Sequence, residues 1–157
     1  MLKHLSWLAL LFSISACTPA NEQSSAAEAV KLVPQCIGSQ SQCEINTVLA
    51  NFSVKFSQVQ LSDKIKTELP FVIQLSTLPH QGGKNKITKI SAHLEGKDMF
   101  MGKVPVFFNK KEGSDVYSAQ SLLASCHEEL MDWRLWVTAN IDGKSQSFFV
   151  DFTSQRL

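Results

Sequence analysis

The fold is decided by one stretch: Trp133-Arg134-Leu135-Trp136-Val137-Thr138-Ala139-Asn140-Ile141-Asp142-Gly143-Lys144-Ser145-Gln146-Ser147-Phe148-Phe149-Val150-Asp151-Phe152. Trp133, Leu135, Val137 and Ala139 recur at every second position. After Asp142-Gly143, so do Phe148, Val150 and Phe152. Successive side chains of a strand point to opposite faces, so this period marks two half-buried strands. An Asp-Gly pair between two such runs is the chemistry of a tight hairpin, because both residues tolerate positive φ.

The same rhythm extends upstream. Phe52, Val54 and Phe56 alternate, as do Phe71, Ile73 and Leu75. Ile90, Ala92 and Leu94 follow, then Val104, Val106 and Phe108. Turn signals part the runs at Leu78–Gly83, Glu95–Asp98 and Glu112–Asp115. Short strands at this spacing predict an all-β protein: an immunoglobulin-like antiparallel β-sandwich of about seven strands. A closed barrel is the structural alternative. The only helix-like stretch is Ala119–Met131, with strand plus loop as the alternative for part of it.

The beginning of the chain reads as an export signal. Lys3 supplies a positive start, and Leu5–Ile14 is almost wholly apolar. Such a core suits a signal peptide and is too short to span a bilayer, which takes roughly 20 apolar residues. Ile14-Ser15-Ala16-Cys17 then has the order of a lipobox: a branched apolar residue, two small ones and a cysteine. Residues 1–16 are expected to be removed and Cys17 to be acylated. Several acyl chains anchor far more firmly than one. Thr18 in place of Asp favours the outer membrane over the inner, by resemblance to the sorting rules of enteric-type bacteria. Residues 17–29 are small and polar and are expected to form a flexible tether. Residues 30–157 suit one domain. The predicted place is a membrane surface facing the periplasm.

Fifteen basic residues meet fourteen acidic ones, and Lys3 lies in the signal. The remaining charge is balanced, and no basic patch interleaves with aromatics. Nothing here recruits nucleic acid.

With Cys17 lipidated, Cys36, Cys43 and Cys126 remain, in a compartment that oxidises thiols. Cys36–Cys43 closes a short polar loop with one glycine and is the favoured pairing. A bridge from either to Cys126 is the alternative. One thiol is left over in any case.

Two segments carry the candidate chemistry. Met99 and Met101 stand two apart, which on a strand would place them on one face. Cys126-His127-Glu128-Glu129-Leu130-Met131 is the other. Soft thioether and thiolate ligands select Cu(I), so Met99, Met101, Cys126 and Met131 are the candidate metal ligands, provided the loops meet. The competing account is that the methionines fill core. His80, in a Pro/Gly turn, and His93, out of phase with Ile90 and Leu94, read as solvent-facing. The order Cys126-His127-x₃-Met131 departs from the cupredoxin copper loop, which argues against a blue-copper site. No GxSxG, P-loop, HExxH or CxxC is present, and Glu128 and Glu129 read as solvated, so a non-enzyme is expected.

Residues Leu94 to Phe152 resemble the FixH/YtkA-like family of immunoglobulin-like domains. The resemblance rests on Met99-x-Met101, Tyr117 after a Gly/Asp turn, Trp133-Arg134-Leu135-Trp136-Val137, and a last strand through Phe149–Phe152. It departs at Asp132, where a Gly is usual, and in the inserted Cys126–Glu129. FixH itself also uses a membrane helix rather than a lipid. The resemblance implies a periplasmic sandwich working beside copper handling and respiratory oxidase assembly. The expected function is that of an envelope lipoprotein and accessory factor, with Cu(I) as cofactor and a periplasmic or membrane protein as partner. The alternatives are a metal-free protein-binding lipoprotein and, third, a thiol-redox role for the unpaired cysteine.

Overall fold

Alternation in the sequence becomes a two-layer sandwich in the structure, a computed structural model that describes residues 42–59, 64–78, 86–110 and 112–157. The signal, Cys17, the tether, Cys36 and His80 lie outside the described residues. Among the described residues, ten strands follow one another: β1 (Gln42–Asn46), β2 (Asn51–Ser57), β3 (Ile65–Lys66), β4 (Phe71–Leu78), β5 (Ile87–Gly96), β6 (Lys103–Val106), β7 (Asn109–Lys110), β8 (Val116–Ser121), β9 (Leu130–Ile141) and β10 (Lys144–Gln155). They form two five-stranded sheets, ordered β1-β2-β4-β8-β7 and β3-β10-β9-β5-β6. The fold is the expected immunoglobulin-like antiparallel β-sandwich, and the two separate open sheets exclude the barrel. Ten strands replace the expected seven or so, because β3 and β7 are two-residue pairings too short to leave an alternating pattern. One pairing is parallel: β3 lies along the end of β10.

Most of the predicted inward positions are the core, while Ile90, Ala92, Val104 and Phe108 are half-buried and pack against it. Phe52, Val54, Phe56, Phe71, Ile73, Leu75, Trp133, Leu135, Val137, Phe148, Val150 and Phe152 are all buried. Burying a large apolar side chain contributes roughly 1.5–3 kcal/mol. The layers meet through aromatic rings. Phe52 of β2 lies 4.5 Å from Phe148 of β10, centroid to centroid, and Phe56 lies 5.0 Å from Phe152. These tilted contacts avoid the unfavourable face-to-face arrangement.

The hairpin also forms as read. Ile141 pairs with Lys144, and Asp142 and Gly143 have φ of 48° and 81°. Two successive positive φ values match the twist of the strands that they join.

Two expectations are corrected. Ala119–Met131 is not helical. Its first residues end β8, where Ala119 pairs with Ile73, residues 122–129 form an irregular connection that bends at 127–129, and Leu130 and Met131 open β9. Strand pairing against the core outweighs local helix preference there. Met99 and Met101 do not share a strand face either. They lie in the turn between β5 and β6, since β5 ends at Gly96 and β6 begins at Lys103.

Candidate functional site

One end of the sandwich gathers most of the predicted site residues. Two connections meet there: 97–102, after β5, and 122–129, after β8. The second is stitched down by polar contacts. Glu68 N–H donates to Leu123 O at 2.8 Å, and the Ser125 and Thr67 hydroxyls lie 3.0 Å apart. Arg156 N–H donates to Glu129 O at 2.9 Å, and the Arg156 guanidinium reaches His127 O at 3.4 Å. The Gln155 side-chain amide donates a hydrogen bond to the Glu129 carboxylate at 3.1 Å.

These contacts place Cys126 beside the start of β9. Its thiol faces the Met131 thioether, with Sγ and Sδ 3.6 Å apart, and lies 3.8 Å from Glu128 O. Met131 is buried and Cys126 is half-buried. Met131 also lines a groove of about 620 Å³ together with Met99, Asp98, Glu128, Asp132 and Lys64. Met99 is 43% exposed at its mouth. Met101 is half-buried and packs against the core. So the structure pairs Cys126 directly with Met131, brings Met99 to the same groove, and gives Met101 a packing role.

The oxygen ligands of the groove are dispersed. Among the described residues, no three His, Cys, Asp or Glu side chains converge as a metal-holding group. His127, Glu128 and Glu129 are exposed. Cys43 is disulfide-bonded and Cys126 is a free thiol, so the alternative bridges to Cys126 do not form.

A second cluster escaped the sequence reading. It covers the outer face of the β10-β9-β5 sheet. The Arg134 guanidinium stacks 3.8 Å from the Phe149 ring centroid and grips Asp151 with two bonds, of 2.7 and 2.9 Å. Lys97 adds its ammonium 3.2 Å from Asp151. Burial disfavours the charged Asp151, but the hydrogen bonds and charges of Arg134 and Lys97 outweigh it and hold the carboxyl below its ordinary range. Asp151 likewise raises the Arg134 pKa, through the hydrogen bond first, against the opposing effect of burial. The Trp136 indole N–H donates to Glu95, and Trp136 packs 5.0 Å from Phe149. His93, expected to be solvated, is half-buried here. Its Nε2 is enclosed without a hydrogen bond, 3.7 Å from Glu95. It sits between Trp136 on β9 and Pro105 on β6, which remove it from water.

No family profile matches the chain, and no curated protein matches it either. Among solved structures, it resembles a DUF4426 family protein from Pseudomonas aeruginosa. That match has 12% identity and a TM-score of 0.52, over 73% of this chain and 94% of the other. The likeness shows the β-sandwich fold. A superoxide reductase (neelaredoxin) from Ignicoccus hospitalis matches 66% of this chain and 79% of its own, at 13% identity and a TM-score of 0.42.

Proposed function

We propose that this chain is a non-enzymatic envelope lipoprotein that holds Cu(I), as an accessory factor in periplasmic copper handling or respiratory oxidase assembly. The carrying observation is the 3.6 Å separation of Cys126 Sγ and Met131 Sδ. At a metal–sulfur distance of about 2.3 Å, two sulfurs in one tetrahedral shell stand about 3.8 Å apart, and in a linear pair about 4.6 Å. The observed spacing therefore suits a bent pair that takes a further ligand. Met99, at the same groove, is the third sulfur of this reading. Met101 stands behind it as support. A thiolate with thioethers is a soft donor set that favours Cu(I) over hard divalent ions. The thiol must lose its proton on binding, so affinity rises with pH.

The resemblance to the FixH/YtkA-like domains supports a partner in oxidase assembly. Acylation at Cys17 and a Cys36–Cys43 bridge complete the proposal, with the domain facing the periplasm from the outer membrane in preference to the inner.

Titrating the reduced mature protein with Cu(I) against a competing chelator tests the site. One equivalent is expected to bind tightly, and Cys126→Ser with Met131→Leu to abolish that binding. Unchanged affinity in the double variant would sink the proposal. A second reading, a metal-free docking module, is favoured by Phe100, 85% exposed beside Met99. A membrane partner that stays bound after metal chelation, and is lost with Phe100→Ala, would select it.

A further inference from the structure

Gly96 is the last residue of β5, paired with Trp133, and its missing side chain would point to the same inner face as Leu94. That space is already taken. A Cβ at Gly96 would overlap the Met99 carbonyl oxygen and the Met131 Cε methyl. The backbone of the 97–102 turn and the side chain of β9 thus share the space that a side chain would fill. Its φ lies outside the left-handed region, so the requirement for glycine there comes from close approach.

A thioether sulfur binds metal through the lone pairs that point away from its two carbons. Seating Cε over Gly96 fixes where the lone pairs of Met131 point. The same contact sets the turn that carries Met99 against the groove. We infer that Gly96 is the positioning residue of the sulfur site, bringing Met99 of the 97–102 turn to the pair that Cys126 forms with Met131 at the start of β9. This inference rests on the copper reading for its ligand, while its geometric part stands without metal. Loss of a supporting residue around a metal typically weakens binding about 10- to 100-fold.

The test is Gly96→Ala in the mature protein carrying methyl-¹³C methionine. Without metal, the Met131 methyl resonance is expected to move while the signals of the sheet residues stay. An unmoved methyl overturns the inference. With Ag(I) as a redox-inert stand-in for Cu(I), the wild-type Met131 and Met99 methyls are expected to shift together. In Gly96→Ala, affinity should fall about 10- to 100-fold. Wild-type affinity in the variant also overturns the inference. If wild type itself binds neither ion, the copper reading fails, and the metal-free spectrum alone decides the role of Gly96. Should Gly96→Ala not fold, the pair Gly96→Ala with Met131→Ala removes the struck methyl. A refolded pair supports the collision with Met131, and a pair that stays unfolded assigns the requirement for glycine to the Met99 carbonyl oxygen, which overturns the assignment to Met131.

Discussion

Ser154 is 1% exposed and sits on the inner face of β10, where a polar group needs a partner. Its hydroxyl accepts from Trp133 Nε1 at 3.0 Å and donates to Met131 O at 3.4 Å. Removing it strands a buried indole N–H. Ser154→Ala is therefore expected to cost about 1–3 kcal/mol in urea unfolding, although only one oxygen is lost. Ser147→Ala, which breaks an exposed contact with Thr138, should cost far less. The inward Trp133 was legible because it keeps the period of Leu135 and Val137. Its partner was not, because an inward serine near the end of a run looks like the end of the run. The sulfur residues divide in the same way. Their chemistry could be read one by one. The strand geometry assigned to Met99 and Met101 could not, since the turn signalled at Glu95–Asp98 continues to Gly102 before β6 begins at Lys103.

At the scale of elements, the β9–β10 hairpin has two working faces. The inner one was read from alternation. The outer one falls off that phase, where a half-buried strand ordinarily meets water. Yet the two-residue turn at Asp142-Gly143 fixes the register, and that register sets Trp136 opposite Phe149, Arg134 opposite Asp151 and Asp132 opposite Thr153. Aromatic and charged residues directly opposed across strands are a stabilising pattern, and this was the available signal. The acid dependence of the hairpin follows from Asp151. Its folded pKa is lowered, so its contribution is present above its unfolded pKa of about 4 and is lost as pH falls through the folded value. Asp151→Asn is expected to lose about 2 kcal/mol near neutral pH, where Arg134 and Lys97 are left without their charge partner. The variant should also show a flatter fall in stability below about pH 4 than wild type. Urea midpoints measured across that range check both points. Equal slopes would remove Asp151 from the acid response.

For the whole molecule, the β-sandwich was legible in the sequence, since it needs only periodicity and turns. The site needed tertiary placement: Cys126 and Met131 adjoin because Thr67, Glu68, Gln155 and Arg156 tie down the 122–129 connection. The expected anchor makes its own prediction. Cys17→Ser should move the protein from the membrane fraction to the soluble fraction and abolish incorporation of labelled fatty acid. Retention on membranes with no label would indicate another anchor. The ties to Gln155 and Arg156 also set a schedule. Cys126 comes well before them in the chain, so its loop cannot reach its final shape until the last strand has docked. The sulfur pair is then a late product of assembly, and a chain halted or cut ahead of Arg156 would carry a thiol whose neighbours are not yet in place.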